Sequence, residues 1–199
     1  MSIRIKIILI MSAVIILTAL PLSLFLFHKQ EQVILQQIIN EGFNSAEILS
    51  RSAANILLMN GGNISSAQID CREMMDILKP FTQRGMVYAD AIIISSNTNL
   101  NGKTLAYIQT AERVILPGFG ENHISESSVN ALVSKPFHRE VTFPNVNDTF
   151  LEMAASAVLP GGSTIILGRV LYSKAAILSP LMGYRNAILL TLIAVVGGM

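Results

Sequence analysis

The sequence has few charged residues, few aromatic residues and almost no cysteine. Charged residues make up 14% of the 199 positions and apolar residues 51%, whereas an ordinary soluble domain is about a quarter charged. The chain has no tryptophan, and its single cysteine is Cys71. One cysteine excludes an internal disulfide and any zinc site built from several cysteines.

The charge is concentrated in the middle of the chain. Residues 7–27 and 186–199 carry no charged side chain, and only Arg4 and Lys6 precede the first of these runs. This distribution predicts one water-soluble domain between two apolar segments that insert into a membrane. It excludes a purely soluble protein, a multispan transporter and a long coiled coil. The net charge of +1 gives no reason to expect a nucleic-acid partner, which needs clustered basic residues.

The first uncharged run has the length of a membrane span. As a helix, residues 7–27 extend roughly 31 Å, which matches the thickness of a lipid bilayer. Arg4 and Lys6 favour a cytoplasmic location for residues 1–6. The alternative is a cleavable signal peptide, whose apolar region is about 7–15 residues long and ends at small residues. Phenylalanine, leucine and Lys29 follow here instead, so we expect an uncleaved transmembrane helix.

The second uncharged run is too short to cross a membrane. Residues 186–199 extend only about 21 Å as a helix. Ser179–Pro180 is typical of a helix start. We therefore expect residues 180–199 to begin a second transmembrane helix that is cut within the sequence given, and residues 28–179 to form an extracytoplasmic domain. The alternative is a genuine C-terminus with a short re-entrant or interfacial tail.

Two helices are predicted at the start of the middle domain. Apolar residues recur every three to four positions from Lys29 to Asn60, the pattern of an amphipathic helix that continues from the membrane span. Gly61–Gly62 should end this helix. Ser65 and Gln68 form a capping-box pattern that predicts a second helix, ending before Pro80.

The rest of the domain changes to an extended pattern. A short helix is predicted from Ser125 to Ser134, and Pro160–Gly161–Gly162 is expected to be the turn between the last two strands. Alternate residues of the fourth strand are apolar, which predicts that one of its faces packs on the long helix. The five predicted strands, of which the first two should form a hairpin, are Val87–Ser95, Lys103–Thr110, Phe137–Phe143, Thr149–Leu159 and Ser163–Tyr172.

This order of elements between two apolar runs resembles the extracytoplasmic PAS-like sensor domains of the Cache family. These domains occur in bacterial sensor kinases, chemoreceptors and membrane-bound nucleotide cyclases. The resemblance covers Lys29–Leu178 and both apolar runs, and it rests on architecture and on a length that fits the single-Cache form. Gly168–Tyr172 with the following Ile177–Leu178 is similar to the strand that leads such domains back to the membrane. The chain lacks the tryptophan of the residue set used by amino-acid-binding relatives.

The resemblance implies both a fold and a function. The implied fold is α+β, a PAS-like antiparallel five-stranded sheet with a long N-terminal helix, flanked by two transmembrane helices. The implied function is the sensor portion of a receptor in the bacterial inner membrane, with the domain in the periplasm or outside the cell. A ligand would bind there, and the conformational change would pass to a cytoplasmic output domain absent from this chain. The apolar stripe of the helix predicted at Lys29–Asn60 suits a homodimer interface. The alternative is a structural inner-membrane assembly subunit of a pilus or secretion machine, which does not need the second apolar run.

A candidate ligand site is predicted on the third strand. Phe137, Arg139, Val141 and Phe143 share one face of this strand because side chains alternate. A guanidinium group among apolar neighbours suits a carboxylate or another small anion. Tyr107 and Arg113 are expected to join this site, and Glu152 is expected either to pair with Arg139 or to contact a cation. The alternative is that Arg139 and Glu152 form an ordinary cross-strand surface pair.

No catalytic or metal-binding pattern is visible in the sequence. His28, His123 and His138 lie far apart without ligand spacing, and the glycines of Gly118–Gly120 lack the pattern of a nucleotide-binding loop. Cys71 is expected to be an inert, buried thiol. We therefore expect neither an enzyme activity nor a cofactor or metal in this chain.

Overall fold

The computed structural model describes residues 3–97, 99–110, 136–143 and 146–197. The chain divides into two units, one formed by residues 1–36 with 178–199 and the other by residues 37–177. The predicted helix at Ser125–Ser134 and the candidate residue Arg113 lie outside the described residues.

The first helix is long, as predicted. Helix α1 runs without a break from Ile3 to Met59 and contains Pro21. It ends where the glycine pair was expected, because Gly61 and Gly62 both have positive φ, +59° and +81°. The Gly62 amide donates to the Leu57 carbonyl at 2.9 Å, a bond that closes a helix C-terminus.

The second helix begins with a different cap from the one predicted. Helix α2 spans Ile64–Met75, and its N-cap is Asn63, whose side chain accepts a hydrogen bond from the Ser66 amide at 3.3 Å. The predicted capping box was wrong, since the Gln68 side chain instead donates to the Thr104 carbonyl at 2.9 Å. Asparagine is as good a cap as serine, and here it stands directly after the glycine pair.

Two short helical elements follow α2, which ends at Met75. A 3₁₀ turn at Asp76–Leu78 leads into the short helix α3, Lys79–Thr82. Pro80 lies in the first turn of α3, where its missing N–H is not required. Because α2 itself ends at Met75, the prediction that it ends before Pro80 is confirmed.

The five strands that the structure describes form one antiparallel sheet. They are β1 Met86–Ser95, β2 Thr104–Gln109, β3 Phe137–Thr142, β4 Thr149–Val158 and β5 Thr164–Ser173. Their order in the sheet is β2-β1-β5-β4-β3, so β5 lies in the centre. The prediction of an α+β fold with a five-stranded antiparallel sheet and a long N-terminal helix is confirmed for the described residues.

The register of the strands gives the sheet two distinct faces, since directly paired residues lie on the same face. The helix face contains mostly small and apolar residues, which are Ala89, Ala91, Ile93, Leu151, Met153, Ala155, Ile166, Gly168, Val170 and Tyr172. The opposite face contains the charged residues of the inner strands and is called the charged face, whereas Glu140 of the edge strand β3 lies on the helix face. The polar members of the charged face include Tyr88, Asp90, Tyr107, Arg139, Glu152 and Arg169.

Helix α1 packs directly on the helix face. A Cβ atom on Gly168 would lie 2.3 Å from the Ala46 carbonyl oxygen, and one on Gly42 would lie 2.2 Å from the Met153 side chain. Ala46 and Ala53 of α1 are completely buried. The backbone of α1 therefore approaches the sheet closely, which confirms that the apolar face of β4 packs on the long helix.

The last helix starts earlier than predicted. Helix α4 spans Lys174–Gly197, so Pro180 lies inside it and Ser179–Pro180 is not its start. The Ser173 side chain accepts a hydrogen bond from the Ala176 amide at 3.0 Å, and Asp148 accepts one from the Ala175 amide at 3.2 Å. These two caps satisfy the first amides of the helix, so β5 passes into α4 without a linker.

A separate finding concerns the membrane. Within the described ranges, no helix meets the length and hydropathy required of a membrane span.

Candidate ligand-binding site on the charged face

A buried ion pair lies at the centre of the charged face. Asp90 of β1 and Arg169 of β5 are direct cross-strand partners. Arg169 Nε donates to Asp90 Oδ1 at 2.8 Å, and Arg169 Nη2 donates to the other carboxylate oxygen. The two side chains are 0% and 7% exposed. A carboxylate and a guanidinium that meet through two parallel hydrogen bonds make the strongest kind of ion pair.

Tyr88 completes this cluster. Its hydroxyl donates to Asp90 Oδ2 at 3.0 Å. Burial raises the pKa of Tyr88, and the adjacent negative charge of Asp90 raises it further. Burial also raises the pKa of Asp90, although Arg169 and Tyr88 both favour its charged form. Burial alone would lower the pKa of Arg169, but Asp90 more than offsets this effect.

A second ion pair joins the outer strands. Arg139 of β3 is the cross-strand partner of Glu152 of β4, and Arg139 Nε lies 2.5 Å from Glu152 Oε2. The pair is asymmetric, because the Glu152 side chain is 1% exposed and that of Arg139 is 58% exposed. The guanidinium carbon also lies 5.8 Å from the centre of the Phe137 ring, within the range of a cation–π contact.

These side chains form a polar row that crosses the sheet from edge to edge. The row consists of Tyr107, Asp90, Arg169, Glu152 and Arg139, one from each strand in spatial order. Apolar clusters lie on either side of it, one formed by Tyr88, Phe143, Phe150 and Leu171 and the other by Ala154 and Leu167 with Ile94 and Phe137. The row therefore lies in apolar surroundings, where interactions between charges are stronger than in water.

The structure brings together two of the four predicted site residues. Arg139 and Glu152 are in contact. Tyr107 lies on the same face with 65% of its surface exposed, but it belongs to β2, at the opposite edge of the sheet from Arg139, and does not join that pair. The alternative of a cross-strand pair between Arg139 and Glu152 agrees with the register. Only Arg139 is at the surface, however, so the pair is not an ordinary surface pair.

Three residues of the charged face were not predicted from the sequence, namely Asp90, Arg169 and Tyr88. A signal was present, because Asp90 and Arg169 are each the only charged residue in an otherwise apolar strand. Charged residues in such strands are rarely buried unless they are paired, so two of opposite sign are candidates for one another. Sequence alone does not tell which strands are neighbours.

Two other reactive side chains, Cys71 and His138, lie apart from this row. Cys71 is buried, and burial raises its pKa to about 11, so the thiol is unreactive near neutral pH. His138 makes an edge contact with the Phe43 ring. Among the described residues, no group of three or more histidine, cysteine, aspartate or glutamate side chains is placed to hold a metal ion.

A small cavity lies within the other unit, between α1 and α4. Its volume is about 50 Å³, and it is lined by Phe27, Glu31, Leu178, Leu181, Met182 and Arg185. Ligand pockets usually measure about 300–1,000 Å³, so this cavity is too small for a typical metabolite.

No family model matches this chain, and no curated protein matches it. Its function has to be inferred from the arrangement of its own residues.

Proposed function

We propose that this chain is the sensor portion of a bacterial transmembrane receptor. The sheet domain is a PAS-like domain of the Cache type that lies outside the inner membrane, in the periplasm or outside the cell. It binds a small anionic molecule on the charged face and relays the change to a cytoplasmic output domain on the far side of the membrane. The chain acts as a homodimer and catalyses no reaction itself.

The observation that carries the proposal is the position of β5. This central strand presents Arg169 to the polar row and the adjacent Gly168 to the backbone of α1. The same strand ends at Ser173, which caps α4. A shift of β5 would therefore alter its contacts with both α1 and α4. A ligand that favours one position of β5 would shift the equilibrium between conformations of the domain towards the one with β5 in that position.

The buried charges support a binding role over a purely structural one. Replacing a buried ion pair with apolar residues is often neutral or stabilising, so such a pair is weak evidence for stability. Here two pairs are retained in apolar surroundings, and one of them reaches the surface through Arg139. A half-exposed guanidinium next to a half-buried aromatic ring suits recognition of an anion.

The order of elements supports the resemblance to Cache domains. Helices α1 and α2 precede strands β1 and β2, and three further strands precede α4. The membrane part of the proposal rests on the sequence, in which residues 7–27 and 186–199 are free of charge. Residues 7–27 lie within α1, and residues 186–197 lie within α4.

The proposal is tested by a ligand screen on the full chain in lipid nanodiscs. Small carboxylates, other organic anions and neutral metabolites are tested for a rise in the melting temperature of the sheet domain. A ligand bound only by the folded protein raises it in a concentration-dependent manner. We expect at least one anion to do so for the wild type and not for Arg139→Ala. If no small molecule stabilises the wild type, the sensor proposal fails and the assembly-subunit hypothesis takes its place.

A further inference from the structure

Building on the proposed function, we infer that Arg139 binds a carboxylate group of the ligand and that the buried charge of Glu152 lowers the affinity of this site. Glu152 thereby acts as a built-in counter-charge and not as a ligand contact.

Two contacts fix the orientation of the Arg139 guanidinium. Its Nε is held by Glu152 at 2.5 Å, and the guanidinium carbon lies 5.8 Å from the Phe137 ring centre. Phe137 and Arg139 belong to the same face of β3, and Glu152 lies opposite Arg139 on β4. A guanidinium that is already oriented loses less conformational entropy on binding than a mobile one.

The opposite edge of the same guanidinium is available to a ligand. Among the described residues, the two terminal nitrogens of Arg139 make no hydrogen bond or ion pair, and the side chain is 58% exposed. The two nitrogens offer parallel N–H groups whose spacing matches the two oxygens of a carboxylate. A planar carboxylate is therefore the ligand group that fits this edge best.

Glu152 opposes the binding of such an anion. Its side chain is 1% exposed, so water does little to screen its charge from an anion on the far edge of Arg139. The neighbouring Asp90–Arg169 pair contributes no net charge. A bound carboxylate thus experiences attraction from Arg139 and repulsion from Glu152 at short range, and removing the second charge should strengthen binding.

The test is isothermal titration calorimetry with sodium acetate on the full chain in nanodiscs. Sodium chloride controls for ionic strength, and acetamide is the uncharged molecule of similar shape. Glu152→Gln keeps an acceptor for Arg139 Nε and removes the charge, so we expect acetate to bind roughly tenfold more tightly. Arg139→Lys keeps the charge but lacks the two parallel N–H donors of the guanidinium, so we expect acetate to bind roughly tenfold more weakly. Acetamide should not bind to any variant.

A matched control comes from Glu140, the neighbour of Arg139 on the opposite face of β3. Its side chain is 57% exposed and pairs with Lys174. Glu140→Gln removes the same charge from a solvated position, so acetate affinity should barely change. Thermal unfolding shows which variants are folded. If Glu152→Gln is unfolded, Glu152→Met replaces it, because an apolar side chain of similar length can substitute for a buried charge.

Three results of the acetate titration would contradict the inference, each for a different reason. If the uncharged Glu152 variant binds acetate no more tightly than the wild type, Glu152 is not a counter-charge, and the sensor proposal is unaffected. If Arg139→Lys binds acetate as the wild type does, the anion binds elsewhere. If no variant binds acetate, the ligand is not recognised through a simple carboxylate, and the ligand screen alone decides the proposed function.

Discussion

The two faces of the sheet differ in composition, since small and apolar residues dominate the helix face and paired charged residues lie on the charged face. On the helix face, glycine and alanine allow the backbone of α1 to approach β5 closely, and the residues that β1 and β5 place on this face carry no charge. On the charged face, five polar side chains cross the sheet between two apolar clusters. The first arrangement maximises close packing. The second keeps charges out of water, which stabilises a fold little. We therefore expect the helix face to contribute most of the stability, whereas under the proposed function the charged face binds the ligand.

The largest effect is expected from breaking the central ion pair. Asp90→Ala leaves Arg169 buried without its counter-charge, which should lower the free energy of unfolding by about 3–5 kcal/mol. Chemical denaturation of the full chain measures this loss. The double variant Asp90→Leu with Arg169→Met removes both charges and should recover most of the stability. If the double variant is as unstable as Asp90→Ala, the pair itself stabilises the fold and the division between the two faces is wrong.

The next largest effect is expected on the helix face. Gly168→Ala places a methyl group 2.3 Å from the Ala46 carbonyl oxygen, so α1 must move and the stability should fall by about 1–3 kcal/mol. The control is Gly183→Ala in α4, where a Cβ atom would meet nothing within 4 Å. That change should leave stability equal or raise it slightly, since alanine favours helix. Equal effects of both substitutions would mean that α1 does not contact β5 closely.

Two buried tyrosines allow a direct comparison of the faces. On the charged face, the Tyr88 hydroxyl donates to Asp90, so Tyr88→Phe should cost about 1.5–3 kcal/mol, the range for a hydrogen bond to a charged group. On the helix face, the Tyr172 hydroxyl makes no hydrogen bond with a described residue. Tyr172→Phe should therefore be neutral or stabilising. Denaturation midpoints of the two variants check this, and a larger loss for Tyr172→Phe would reverse the comparison.

The smallest effect is expected in alkaline solution. Burial, followed by the nearby charge of Glu41, raises the pKa of Tyr172 to about 12, above the value of about 10 for an unfolded chain. The folded protein holds this proton where the unfolded chain releases it, so stability falls as the pH rises from about 10 towards 12. Tyr172→Phe should lose less stability than the wild type over this interval. Identical pH profiles would show that Tyr172 is not buried as described.

Much of the fold could be predicted because it follows from periodic patterns. The spacing of apolar residues predicted α1 and its end at Gly61–Gly62, and the extended pattern predicted both ends of all five strands to within one residue. The errors occurred at helix ends. Asn63 caps α2 in place of Ser65, and Ser173 caps α4 well before Ser179. Several polar residues near each end were able to act as caps, and tertiary structure selects among them.

The site was predicted less completely, for a topological reason. Arg139 and Glu152 lie on consecutive strands joined by a short connection, so their proximity follows from a hairpin. Asp90 and Arg169 are 79 positions apart and meet only because β5 inserts between β1 and β4. Hairpin patterns do not specify that insertion. Local sequence patterns therefore could not predict that Asp90 pairs with Arg169.

The sensor account depends most on the location of the sheet domain on the extracytoplasmic side of the membrane. It is tested by labelling Ser163→Cys in a Cys71→Ala background, because Ser163 lies exposed between β4 and β5. A membrane-impermeant maleimide is added to spheroplasts of a bacterial host, and the wild-type chain is the control, since its buried Cys71 should stay unlabelled while folded. The account predicts that the new cysteine is labelled in intact spheroplasts. Labelling only after the membrane has been permeabilised would place the domain in the cytoplasm and contradict it.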